Sequence, residues 1–485
     1  MSTIKRIRKN MLALSLGSLS KLLTLILLIF CANVLPGKEW GILAAALALT
    51  EILSIVADLG LSSLVIREVA KEKTQVGKYL SNGIFIKFFL SAIAFALIFI
   101  IANLRSRSSV ELIVMYILTF RIILFSFGKF MESIFQAFER MEYCALVTIL
   151  ERTTTFVLGW LALYLGLGLI GVSWAIFIGS GFYVLLGSVI LIKKFARPRF
   201  SVNTREVRSL MKQAFPFALV FIFLVIYFRI DMVMLREMKG ALVVGWYAAS
   251  YQIIQALMVI PAIAMAVLFP LLSRYYKYSR PSLVLAYKKS FQYMLYLALP
   301  IAVGTTLLAD KIIILLYSGL EGYSNSIIAL KILIWAVALI FVNTVMANVI
   351  NSINEVRYSS FVIGVNAVIN VGLNLIFIPE WGLNLSYRGA SITTVICEIV
   401  GFVLNYSFIC KKLTPLNLPL LFIKPIFACG VMGAFIFFFS SHISLYLTIP
   451  LSILFYFLSL YFMKPFDSVD MRIWEELLPR RRAKI

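Results

Sequence analysis

The stretch YFRIDMVMLR, Tyr227 to Arg236, closes a long apolar run that begins AFPFALVFIFLVIYF at Ala214. Everything before Arg229 in that run suits lipid; then Arg229 and Asp231 appear two residues apart. Two helical positions separate side chains by about 200°, so this pair cannot face each other on one helix. An ionised side chain near the bilayer centre costs about 2.5–3.5 kcal/mol on insertion scales, so each needs its own partner or a wet cavity. Arg229 reads as a cavity-facing cation, and Asp231 as a tie to a neighbouring helix or the seat of a coupling ion. The alternative is structural: both belong to buried ion pairs that fix helix packing.

The run is one of many. Of the 485 residues, 62% are hydrophobic and only 14% charged, and the mean hydropathy is +0.97. No soluble domain has that composition. Apolar runs of about 20 residues, enough to span a bilayer as helix, recur from 11–35 and 40–65 through 214–235, 244–272 and 290–317 to 443–463. The expected fold is an all-α polytopic membrane protein of about fourteen transmembrane helices. The net charge of +23 does not point to nucleic acid, because the basic residues fall in short loops between the runs. They cluster in alternate flanks such as KRIRK, KKFARPRFSVNTREVRSLMK and the tail RRRAK, which predicts a cytoplasmic (inner) membrane location with both termini cytoplasmic. The basic start followed by an apolar run to about Val34 is too long for a signal peptide and reads as a retained first span. The five cysteines form no CxxC pair, and His442 is the one histidine, so no metal site and no cofactor are expected.

The chain also repeats itself. GILAAALALTEIL (Gly41–Leu53) lines up with GWYAASYQIIQAL (Gly245–Leu257), setting Glu51 against Gln255. YCALVTILER from Tyr143 lines up with YSSFVIGVNA from Tyr358, and GVS at Gly171 with GAS at Gly389. Six spans per repeat is even, so the two lobes share one orientation and should meet about an axis along the membrane normal, with a site at their interface. The expected organisation is an N-terminal six-helix lobe at 1–195, a pseudo-symmetric C-terminal lobe at 196–412, two appended helices at 413–464 and a basic cytoplasmic tail at 465–485.

Depth sorts the charged residues. Lys87, Lys129, Lys331 and Lys424 lie within reach of expected span ends and read as interfacial anchors. Lys21 lies deep, sharing a helix face with Gly17, Ser18 and Thr24. Arg121, Glu51 and Glu398 are mid-span, Glu151 and Arg152 adjoin, and Asp58 lies nearer the cytoplasmic end. Asn366, Asn370 and Asn374 recur every four residues and line one helix face. Lys21, Arg121, Arg152 and Arg229, with Asn366 and Asn370, are the candidate cavity residues. Asp231, Glu51, Asp58, Glu151 and Glu398 are acids that either satisfy those bases or take up a coupling ion, a proton or sodium.

Several stretches together resemble a known family. YFRIDMVML, VGWYAASYQIIQALMVIPAIAMAVLFPLLSR (Val244–Arg274), NLIFIPEWGLNLSYRGASITT (Asn374–Thr394) and NVLPGKEWGILAAALALTEILSIVADLGLSSLVIREVA (Asn33–Ala70) resemble segments of the O-antigen repeat-unit flippases, polysaccharide transporters of the multidrug/oligosaccharidyl-lipid/polysaccharide exporter superfamily. The resemblance implies two six-helix lobes plus two helices, and alternating-access movement of a polyprenyl-pyrophosphate-linked oligosaccharide for surface polysaccharide biosynthesis. It implies that deep cations meet the substrate, with membrane lipids and a glycan polymerase complex as further candidate partners. The chain departs from the pattern where many relatives carry Arg before LLGP: Ala32 and Asn33 stand there. The rival readings are a cation-coupled multidrug exporter of the same fold, a membrane glycan polymerase or ligase, and a scaffold for glycan assembly. The short outer loops and lack of an evident partner for His442 argue against an enzyme.

Overall fold

The computed structural model describes residues 9–10, 13, 16–17, 19–104, 107–197, 202–319 and 322–463. The expected basic tail at 465–485 lies outside them, as does most of the N-terminal basic flank. The described helices are α1 (Lys21–Val34), α2 (Gly37–Asp58), α3 (Leu61–Lys71), α4 (Val76–Asn103), α5 (Ser109–Ala137), α6 (Met141–Tyr164), α7 (Gly168–Lys194) and α8 (Thr204–Lys239). They continue as α9 (Ala241–Leu257), α10 (Val259–Tyr278), α11 (Arg280–Tyr317), α12 (Tyr323–Ser352), α13 (Val356–Phe377), α14 (Ser386–Lys412), α15 (Leu418–Phe439) and α16 (Leu445–Phe462). Among the described residues, thirteen helices are long and apolar enough to cross a membrane, with α9 and α10 counted as one, and α1 is a shorter apolar helix at the expected first span. The all-α polytopic fold is therefore the one the sequence predicts.

Some boundaries differ. The expected span 40–65 ends at Asp58, because Leu59 (φ 41°) and Gly60 (φ 76°) are both left-handed and break the helix. A Cβ on Gly60 would lie 2.5 Å from the Ala214 carbonyl oxygen, so glycine serves both the turn and the close approach of α8. The short α3 that follows is amphipathic: Leu61, Leu64, Val65 and Val69 are buried, while Lys71 is exposed.

The chain divides into two compact units. The first comprises Met1–Val259, Ile313–Ala329 and Val356–Gly401; the second comprises Ile260–Ile312, Leu330–Glu355 and Phe402–Ile485. In the second, α15 and α16 pack on α11 through Tyr296, Leu308, Met432, Ile436 and Tyr456, and the Tyr456 hydroxyl donates to the Tyr296 carbonyl at 2.8 Å.

In the first unit, two stretches that align in the sequence touch each other. Gly41 of α2 and Gly245 of α9 meet at a helix crossing. A Cβ on Gly41 would lie 1.7 Å from the Ala241 carbonyl oxygen, and one on Gly245 would lie 2.9 Å from that of Gly37. Buried Trp40 donates from Nε1 to the Gly245 carbonyl at 3.1 Å across this crossing. The register that pairs those glycines pairs Leu27 with Asp231, and the register of Tyr143 with Tyr358 pairs Gly159 with Asn374. Leu27 packs on Gly159, where a Cβ would lie 2.8 Å from its side chain. In the second repeat Asp231 meets Asn374 at 2.6 Å. One crossing is thus dry in the first half and polar in the second.

Candidate functional site

Deep polar groups gather in four places in the first unit. The first lies among α1, α5, α6 and α7. Arg121, Phe125, Lys129 and Glu132 follow one face of α5 at helical spacing. The Arg121 guanidinium lies 4.9 Å from the Phe125 ring centre, with Lys129 Nζ 5.9 Å from the same ring. Glu132 accepts from Lys129 Nζ at 2.9 Å, from Gln136 Nε2 at 3.1 Å and from the Tyr183 hydroxyl. Arg152 donates from Nη1 to the Gly17 carbonyl and to Ser20 Oγ, both at 2.8 Å. Lys21 follows Ser20, which Arg152 holds, and Glu151 precedes Arg152 on α6. Four cations therefore share this region with two carboxylates, Glu132 and Glu151. Glu132 is committed to its three donors; Glu151 makes no hydrogen bond or ion pair among the described residues. A surplus of positive charge remains.

The second place is the crossing of α2, α8 and α9. Arg229 Nε donates to Glu51 Oε2 at 2.7 Å. The Gln255 amide is assigned with its oxygen toward the guanidinium, the orientation that sets acceptor against donor, and there accepts from Nη1 at 2.7 Å and Nη2 at 3.2 Å. The Arg229 side chain is 21% exposed and that of Glu51 45%.

The third place, around Asp231, lies between α8, α9, α13 and α14. Asp231 is buried, and its oxygens accept from the Tyr247 hydroxyl at 2.7 Å, Asn374 Nδ2 at 2.6 Å and Thr394 Oγ1 at 3.1 Å. No cation of the chain pairs with it among the described residues. Asn374 also donates to Asn370 Oδ1 at 3.1 Å, and the Oδ1 atoms of Asn366 and Asn374 are buried without a donor. Asp231 thus carries a buried charge held by neutral donors, beside amide atoms (Asn366 Oδ1, Asn374 Oδ1 and Asn370 Nδ2) that are buried without partners. One turn along, Glu398 is buried and accepts from the Tyr227 hydroxyl.

The fourth is a correction. Lys87, expected as an interfacial anchor, is fully buried: it pairs with Asp58, donates to Ser126 Oγ at 2.8 Å and lies 5.8 Å from the Phe130 ring centre. Asp58 also accepts from Ser62 Oγ at 2.5 Å, which ties α3 back across the helix break. The pair joins α2, α4 and α5.

At the other end of the α2–α8 contact, Arg107, Glu111, Arg236 and Glu237 form a charge-balanced network. Arg107 meets Glu111 at 2.7 Å and Glu237 at 2.5 Å, while Arg236 grips Glu111 at 2.5 and 3.0 Å. Sequence reasoning gave no role to this network, to Glu132, or to Tyr183, Tyr227 and Tyr247. The α5 spacing from Arg121 to Glu132 was the one signal available for any of them.

Comparison with known proteins places the chain. Residues 7–276 match the family described as "Polysaccharide biosynthesis protein". Two uncharacterized membrane proteins of Methanocaldococcus jannaschii are similar along most of their length. MJ1068 is 21% identical, over 79% of this chain and 79% of its own, and MJ1375 is 23% identical over 77% and 90%. Among solved structures, the lipid II flippase MurJ in an inward closed conformation has the same fold, with TM-score 0.77 and 15% identity over 93% of this chain and 98% of its own. An inward-facing multidrug resistance MATE family transporter of the MOP superfamily follows at TM-score 0.68 and 17% identity, over 83% and 98%.

Proposed function

Because the chain belongs to the polysaccharide biosynthesis protein family, we propose that it is a flippase carrying polyprenyl-pyrophosphate-linked oligosaccharide across the cytoplasmic membrane, with both termini cytoplasmic. The observation that carries this reading is the cationic surplus of Lys21, Arg121 and Arg152 in the first half, where Lys129 is taken by Glu132. A sugar and a pyrophosphate need a wet, polar path through hydrocarbon, while the prenyl tail stays in lipid. Arginine suits pyrophosphate because its guanidinium is a fork of donors that stays charged. Rocking of the six-helix halves 1–195 and 196–412 alternates access to that path.

The second half supplies the drive. The Asp231 carboxylate takes a coupling cation, a proton or sodium, with the donor-free Oδ1 atoms of Asn366 and Asn374 on α13 as further oxygens for sodium. The equivalent crossing in the first half, Leu27 on Gly159, has no oxygen to offer a cation. The anion path of the first half continues at Arg229 in the second, while Asp231 meets the cation. A multidrug exporter of this fold would place acids and aromatics where this chain carries its cations.

Transport in proteoliposomes tests the reading. Wild type moves a fluorescent polyprenyl-pyrophosphate oligosaccharide between leaflets, whereas Arg229→Ala inserts normally but moves none. Normal surface glycan in cells that rely on Arg229→Ala would overturn it.

A further inference from the structure

We infer that Glu51 is a resident stand-in for the substrate's phosphate: it occupies Arg229 between transport events and is displaced when the substrate docks. The inference rests on the flippase reading and adds a residue whose task is to compete. Arg229 has all three donor-bearing nitrogens engaged, Nε by Glu51 and both Nη atoms by Gln255. Two Nη hydrogens stay free, but a phosphate takes a two-bond grip on either edge of this guanidinium only by replacing one of these partners. Glu51 is the replaceable partner, since it is a carboxylate, the same class of ligand as the phosphate, and its side chain is 45% exposed against 21% for the arginine it holds.

The repeat sharpens the point. Glu51 and Gln255 stand in equivalent positions on α2 and α9, and α2 and α9 cross at Gly41 and Gly245. The neutral member of the pair keeps its grip without repelling a phosphate, while the charged member neutralises Arg229 whenever the substrate is absent. Without Glu51, a cation fixed deep in the bilayer would hold the pyrophosphate too firmly to release it. Since Glu51 also joins α2 to α8 through Arg229, its displacement loosens that link at the moment the site fills.

Binding of farnesyl pyrophosphate to the full-length protein in nanodiscs, with farnesol as the tail-only control, tests this. Glu51→Gln is expected to bind farnesyl pyrophosphate about tenfold more tightly than wild type and to turn over more slowly in the proteoliposome assay, with farnesol binding unchanged. Gln255→Glu, which doubles the competing charge, is expected to weaken binding by about the same factor. Equal or weaker binding by Glu51→Gln overturns the inference while the flippase reading stands. If Glu51→Gln fails to fold, unchanged binding by Gln255→Glu overturns it instead. Should wild type and both variants all ignore the pyrophosphate, the flippase reading falls and this inference falls with it.

Discussion

Glu51 and Gln255, set against each other when the two stretches of sequence are aligned, both close on a single side chain, Arg229. The repeat therefore has a physical meeting point. It begins at Gly41 and Gly245, where two equivalent helices touch backbone to backbone, and it runs to the arginine that their equivalent polar residues share. Along that path the copies have diverged in charge but kept their contacts.

The crossing is the first thing to test. A Cβ on Gly41 would stand 1.7 Å from the Ala241 carbonyl oxygen, and the obstacle is backbone, which cannot turn aside as a flexible side chain would. Gly41→Val should lower stability by more than the ~1–3 kcal/mol typical of overpacking, read as a fall in melting temperature and a loss of monodisperse protein in detergent. Gly77→Ala is the control: nothing lies within 4 Å of the added methyl, so it should melt at or slightly above wild type. A stable, monodisperse Gly41→Val would show that α2 and α9 do not touch in this way.

Asp231 gives the second prediction. Its carboxylate is held by neutral donors only, so a bound cation would complete its neutralisation. Sodium at about 100 times its dissociation constant stabilises the bound state by about 2.7 kcal/mol. Exchange of choline for sodium at fixed ionic strength should raise the melting temperature of wild type and leave Asp231→Asn flat. No response in wild type would remove sodium from the proposal.

Much of this was legible in the sequence. Long apolar runs fixed by bilayer thickness revealed nearly every span, and the glycine-anchored repeat aligned Glu51 with Gln255 before their shared partner was visible. Asp231 and the Asn366–Asn370–Asn374 stripe stood out because polar groups in lipid are expensive. What stayed hidden depended on tertiary neighbours. Lys87 was misjudged because distance from a span end measures position along one helix, whereas its burial is set by Asp58, Ser126 and Phe130 on others. The break after Asp58 was missed because two left-handed residues interrupt an otherwise continuous apolar run. Which acid takes which base also escaped, since Glu51 and Arg229 are brought together only by the crossing of α2 and α8.

Lys87 and Asp58 make the last case. Lys87 is fully buried and its ammonium is compensated by Asp58, whose side chain is 28% exposed. Removing one member of a buried ion pair costs about 3–5 kcal/mol, because the other charge stays behind in low dielectric. Lys87→Met strands the aspartate and Asp58→Asn the fully buried lysine, so each single change should cost within that range. Lys87→Met combined with Asp58→Asn removes both charges at little change in volume and should recover most of the loss, since an apolar replacement of a whole buried pair is often neutral. Thermal melts of wild type, Lys87→Met, Asp58→Asn and the double variant form a double-mutant cycle. If the two single losses simply add in the double variant, the pair is not coupled and does not join α2, α4 and α5 in this way.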